Sequence, residues 1–331
     1  MINFRTEVEL PKTPSQLSYR KNAMMVGSCF TENIGNYLHS HYFPVQTNPC
    51  GILYNPASLA NCLSFLVKGK QFDYSDLFFA NGLWNSFYFH SRFSNPDKNK
   101  ALEAMNGSLS NASQNLKISS HLFVTFGTSW IFREKDQNSI VGNCHKLPAN
   151  KFVREKLSVE EMTGIWIPLL NDLFAIQPNL SVVLTISPIR HLKDGSFENQ
   201  LSKSTLFLLV DRLLTHFGAE KITYFPSYEL VMDELRDYRF YATDMLHLSE
   251  TATEFIQEKF NEVFFDKESK EISFKIGKIV KTLAHKPFQG ESSSYQELLL
   301  KMEKEVKKIT SDHPGIELND LIIDIVQKKS L

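Results

Sequence analysis

The chain has 331 residues, 42% of them hydrophobic and 22% charged, and a formal net charge of -1. That length can bury a sizeable core, in one large α/β domain or two modest ones. Because acidic and basic groups nearly balance, no field draws in nucleic acid or anionic lipid, and a small or neutral partner is expected.

The opening stretch MINFRTEVELPKTPSQ lacks the basic start, apolar centre and small-residue cleavage site of a signal peptide. No apolar run reaches the length of a membrane span, so a cytoplasmic protein is expected. Cys29, Cys50, Cys62 and Cys144 are widely spaced, with no CxxC pair and no His-x-x-x-His partner. Free thiols are predicted, with no structural zinc or other metal site.

In chain order, the apolar run at Ala23–Val26 predicts a buried central strand, followed by a helix from about Thr31 carrying Ile34, Tyr37 and Leu38 on one face. A second helix starts at Asn55 as cap with Pro56 in its first turn, and Leu59, Cys62, Leu63 and Leu66 form its stripe. Leu83 to Pro96 is aromatic-rich and alternating, which reads as an edge hairpin or an insertion beside the site. HLFVTFG and LSVVLTISP are compact apolar runs ending in turn residues, as buried strands do, and KITYFP is a shorter third. Ser158 and Glu161 form a capping box for the helix of Met162, Trp166 and Leu169, and Leu201 to Leu214 supplies another helix.

Strands alternating with helices predict an α/β fold, a parallel sheet covered on both faces. ETATEFIQEKFNEVFF, amphipathic through Phe255, Ile256, Phe260 and Val263, closes a main domain of residues 1–265. Residues 266–331 turn Lys/Glu-rich and predict a helical C-terminal extension. It serves either oligomer or partner contacts or packs as a charged helix on its own domain.

Chemistry concentrates at two places. In MMVGSCFTENIG, Ser28 stands where a parallel strand gives way to a helix, the edge at which open α/β folds bind ligands. The free N–H groups of the helix start can hold an oxyanion there. Alone, Gly-Ser before a helix reads as a turn and cap. A serine needs a base, and YATDMLHLSE supplies Asp244 and His247, spaced so that in a tight loop the carboxylate orients the imidazole. Cys29 is the rival nucleophile at the same helix start. Adjacent residues at a sharp turn point apart, so Ser28 is expected to face the site and Cys29 the core.

Further residues have both a functional and a structural reading. His145 and Lys146 fit an anionic or sugar substrate or an ordinary loop. Arg190 and His191, following a strand, fit the site mouth or a buried ion pair. His90 and Arg92 fit substrate contact or pairing with acids of MDELRDYRF, and the run Asp233 to Arg239 reads as a structural ion-pair network.

VGSCFTENIG, NPCGILYNP, VTFGTSWIF, NCHKLP, SPIRHLKDG and the segment ending YATDMLHLSE, spanning about Met24 to Phe264, together resemble the GSCFA family within the GDSL/SGNH hydrolase superfamily. Thr31 replaces the final Ala of the name-motif. The resemblance implies a three-layer α/β/α sandwich of flavodoxin-like type, Ser28 as nucleophile, His247 as base and then acid, and Asp244 as its orienter. It also implies an oxyanion hole built from the nucleophile's own N–H, a Gly N–H, for which Gly51 is the candidate, and an Asn side chain. That Asn is missing: HLFVTFG runs into GTSW, leaving Thr128, Ser129 or Asn143 to supply the donor.

The expected function is therefore a serine esterase, deacylase or acyltransferase acting on an O-acyl ester of a carbohydrate or other small molecule, without metal or organic cofactor. The alternative is a carbohydrate- or metabolite-binding module on the same fold. A thiol enzyme at Cys29 is the third reading.

Overall fold

The computed structural model describes residues 6–284 and 293–329. Its centre is a five-stranded parallel sheet in the order β10-β9-β5-β1-β2. The strands are β1 (Asn22–Gly27), β2 (Val45–Thr47), β5 (Ser119–Phe126), β9 (Ser181–Ile186) and β10 (Ile222–Tyr224). Numbered among themselves they run 2-1-3-4-5, the flavodoxin-like order, and the direction of winding reverses between β1 and β5.

Side chains alternate across each strand, so the two faces belong to different cores. Met24, Val26, Leu122, Val124, Val182 and Leu184 pack beneath helices α2 (Pro56–Lys68), α3 (Lys98–Ile118), α4 (Val159–Ile176) and α5 (Ser196–Phe217). Ala23, Met25, Phe123 and Val183 face α1 (Cys29–Ser40) and α7 (Glu250–Phe264). The result is the expected three-layer α/β/α sandwich. α8 (Lys267–Ala284), α9 (Ser293–Asp312) and α10 (Asn319–Lys329) set Ile272, Ile276, Leu299, Val306 and Leu321 into that second core, so their apolar stripes are covered within the chain. No helix among the described residues is long and apolar enough to cross a membrane.

Caps fall where local chemistry places them. Asn55 accepts the Ser58 N–H at 2.8 Å ahead of Pro56, and Ser158 and Glu161 cap each other reciprocally. Three features escaped the sequence reading. α3 buries only Ala101, Met105, Leu109, Ala112 and Leu116, a narrow stripe, two of its five residues alanine, in an otherwise polar run. β6 (Trp130–Glu134), β7 (Ser139–Val141) and β8 (Phe152–Lys156) form an antiparallel sheet inserted after β5. The expected hairpin at Leu83 begins earlier, pairing β3 (Phe78–Ala80) with β4 (Leu83–Asn85) around Asn81 and Gly82, both at positive φ as a tight primed turn requires. Beyond β4 the segment leaves the sheet, and His90 caps a short 3-10 turn.

Candidate active site

β1 ends at Gly27, where a side chain could not fit: a Cβ would lie 2.3 Å from Thr31 Oγ1 and 2.7 Å from Thr125 Cβ. This close approach lets α1 start directly over the sheet edge at the reversal between β1 and β5. Ser28 is the N-cap of α1, its Oγ accepting the Phe30 N–H at 3.3 Å, and it is only 1% exposed. Cys29, the first helical residue, is partly exposed. Ser28 is thus the more buried of the pair and Cys29 the more exposed.

Burial raises the Cys29 thiol pKa, the N–H groups of Phe30 and of Cys29 itself and the Lys203 ammonium oppose that rise, and Glu32 adds to it. Tyr54 stands close enough for the Cys29 and Glu32 charges to add to the burial that raises its phenol. The Tyr54 carbonyl accepts the N–H groups of Gly127 at 2.7 Å and Thr128 at 3.1 Å, and Gly27 O accepts the Leu53 N–H at 3.1 Å. The segment 48–55 thus bridges the ends of β1 and β5.

That segment is anchored by Asn48, buried and at φ 50°. Its Oδ1 accepts the Gly27 N–H at 2.8 Å, and its Nδ2 donates to Glu32 Oε2 at 2.9 Å. Arg92 bonds Glu32 Oε1 at 2.9 Å and Asn48 O at 2.5 Å. Arg92 thus pairs with the first turn of α1, not with the acids of MDELRDYRF. In that acidic run the pairing is local, Arg236 to Asp233 at 3.1 Å, while Glu234 receives the Val8 N–H and Asp237 caps Arg239.

Gly51, Thr128 and Ser129, expected from the sequence as oxyanion donors, have hydrogen-bond partners elsewhere. Gly51, at φ 82°, donates its N–H to Asn48 O at 2.8 Å, and its missing side chain makes room for His90. Thr128 Oγ1 and Ser129 Oγ lie 3.0 and 3.1 Å from Ser202 Oγ on α5, and the Ser129 N–H donates to the same oxygen at 2.8 Å. GTSW thus serves as a clasp to α5. Asn143 Oδ1 accepts the His145 N–H, and His145 Nε2–H donates to Ser86 O at 2.8 Å, holding that buried ring against the β3–β4 hairpin. Lys146 is exposed, and exposed Arg190 reaches Met232 Sδ at 3.5 Å.

His191 lies at the same sheet edge. Its ring meets Tyr54 edge-on at 5.4 Å, and its Nε2 is buried without a partner among the described residues. Burial, with smaller contributions from Lys203, Arg154 and His247, lowers its pKa to about 4. His247 and Asp244 form the expected pair: Nδ1 donates to Asp244 Oδ2 at 2.6 Å, while Asp244 Oδ1 accepts the N–H groups of Leu246 and His247, each at 2.9 Å. The bridge between Tyr241 and Leu248 and the Ser249 cap of α7 pin this loop. The imidazole is 52% exposed and, among the described residues, bonds neither Ser28 nor Cys29.

One residue of the site passed unnoticed in the sequence. Lys203, fully buried, donates to Gly127 O and Ser187 O at 2.6 Å each, tying the ends of β5 and β9 together. The signal was available: Lys203 falls in register with Leu206, Val210 and Leu213, a lysine on the apolar stripe of α5.

Thr31 allows a first test of this packing. Its hydroxyl is buried without a partner among the described residues, so Thr31→Ala is expected to raise stability by about 1 kcal/mol. A urea midpoint that falls would show that the hydroxyl is satisfied in solution.

Residues 22–260 match the model of the GSCFA family, and residues 276–328 match that of the GSCFA domain protein, C-terminal domain. No curated protein matches the chain. Among solved structures, a carbohydrate esterase family 3 from Talaromyces cellulolyticus is similar at 9% identity with a TM-score of 0.34, over 79% of this chain and 99% of that one.

Proposed function

The chain belongs to the GSCFA family, and from that premise we propose that it is an acyl-transfer enzyme: an esterase, deacylase or acyltransferase acting on an O-acyl ester of a carbohydrate or other small molecule. What supports this reading is an imidazole oriented by a carboxylate, His247 on Asp244, with its charge felt at His191 after β9, in a chain that also carries a Ser-Cys nucleophile pair on the helix start after β1. In the first step His247 Nε2 takes the nucleophile's proton and the carbonyl carbon is attacked. Amide N–H groups at the start of α1 stabilise the oxyanion, and His247 then protonates the leaving alcohol. Water, or a second alcohol, releases the acyl group.

Ser28 is the nucleophile that the family resemblance implies. Cys29 is the rival: it is partly exposed, whereas Ser28 is buried with its Oγ accepting the Phe30 N–H. A hydroxyl oxygen keeps a second lone pair while it caps, so the cap bond does not bar attack by Ser28. The test is to quench the protein with an aryl acetate during turnover and map the acetyl adduct by mass spectrometry. An adduct on Ser28, lost in Ser28→Ala and kept in Cys29→Ala, is the expected result. An adduct on Cys29 instead assigns a thiol enzyme. Neither adduct nor turnover in folded wild type overturns the enzyme reading in favour of a binding module.

A further inference from the structure

The missing Asn of GTSW leaves a question about the acyl oxygen that the geometry around Gly127 addresses. A Cβ at Gly127 would lie 3.3 Å from His191 Nε2 and 3.0 Å from Tyr54 O. The space beside Gly127 at the end of β5 is therefore filled by an imidazole edge from the loop after β9. That edge is a ring nitrogen, buried and without a partner among the described residues. An unsatisfied buried polar atom calls for an explanation, and at the carboxyl ends of the strands of an open α/β sheet a ligand atom supplies one.

We propose, resting on the acyl-transfer reading above, that His191 donates its Nε2–H to the acyl oxygen as it becomes an oxyanion, in the role for which Thr128, Ser129 and Asn143 were the sequence candidates. Thr128 and Ser129 are bonded to Ser202, and Asn143 is tied through its Oδ1 to the His145 N–H. His191 is fixed from behind, its backbone N–H donating to Asn199 Oδ1 at 2.8 Å on α5, and from the side by the edge of Tyr54. It does not compete with His247 for the proton of the nucleophile. A ring whose charged form is disfavoured by burial and by Lys203 stays neutral near pH 7, and a neutral imidazole keeps one N–H to give. The step moves no proton at His191: the carbonyl π electrons go to oxygen as the nucleophile's bond to carbon forms, and Nε2–H shortens its contact to that oxygen.

The test is His191→Phe, which keeps a flat ring against Tyr54 but offers no donor, beside His191→Asn, which restores one. With an aryl acetate, the Phe variant is expected to lose kcat by about 10² to 10³ with KM nearly unchanged, the size of effect seen when one oxyanion donor is removed. The Asn variant is expected to recover at least tenfold of that loss, by roughly the same reasoning. Alkylation of Cys29 by iodoacetamide, which needs no oxyanion donor, is expected to run at the wild-type rate in both. An active wild type whose Phe variant keeps its kcat overturns the inference and leaves the acyl-transfer reading standing. A Phe variant that loses turnover and alkylation together, without rescue by Asn, assigns His191 to packing and also overturns it. A folded wild type without turnover or acyl adduct overturns the parent reading, and this one with it.

Discussion

His247→Ala is expected to lower turnover of a simple aryl acetate by about 10⁴, in kcat and kcat/KM together, because the base acts only once the nucleophile begins to lose its proton. The imidazole is held by a single side chain, Asp244 Oδ2 at 2.6 Å from Nδ1, and its ring projects toward solvent. Nothing else among the hydrogen bonds of the described residues orients Nε2, so Asp244 has a role that packing cannot replace. Asp244→Ala should lose roughly tenfold less than His247→Ala, because His247 survives without its orienter. Asp244→Asn is the sharper variant. It retains an oxygen for the N–H groups of Leu246 and His247, so the loop stays closed, but it can present an amide donor to Nδ1 and favour the wrong tautomer. The bond from His247 and those backbone N–H groups hold the Asp244 carboxyl down to about 2, so it stays ionised across the working range. Loss of activity on mild acidification must therefore come from another group. Turnover measured against pH for wild type and both Asp244 variants checks this, and a His247→Ala enzyme with unchanged turnover would show that the assigned pair is not the base.

The parts of this arrangement that were legible in the sequence are those in which one short segment dictates its own geometry. The Asn55-Pro56 helix start, the Ser158–Glu161 box and the Asp244–His247 loop each carry their hydrogen-bond partners within a few residues, so their local chemistry is sufficient, while β1 was legible from its apolar run alone. What escaped depends on partners far along the chain. The destinations of the Thr128 and Ser129 hydroxyls could not be read without Ser202, more than seventy residues on. The Gly51 N–H is unavailable because a left-handed Asn48 turns the chain back beneath it. The exposures of Ser28 and Cys29 follow from the cap bond to Phe30, whose direction the motif does not fix by itself. Arg92 found Glu32 rather than the acids of MDELRDYRF because the 48–55 segment brings the 3-10 turn after His90 against α1.

Lys203→Met is expected to cost about 3 kcal/mol of stability. The amine donates to Gly127 O and Ser187 O at 2.6 Å each, and both carbonyls lie where β5 and β9 end beneath the site. A thioether of similar length fills the volume but leaves two buried acceptors without donors, at about 1–3 kcal/mol each, offset in part because no amine is buried. The loss should appear as a lower urea midpoint at constant slope. Its pH dependence separates this account from simple packing. Burial lowers the Lys203 pKa from 10.5 to about 7, with Cys29 raising it and Arg190 lowering it further. Between those two values the unfolded chain binds a proton that the folded chain does not, so this group's contribution to stability grows as pH rises through the window and shrinks as it falls toward 7. Above the lower value the neutral amine still has two N–H bonds to give, one for each carbonyl. The gap in stability between wild type and Lys203→Met should therefore be smaller near pH 7 than near pH 9.5. Equal gaps at the two pH values would mean that the folded protein keeps the lysine charged, held as an ammonium between two carbonyls, and the argument from burial would fail.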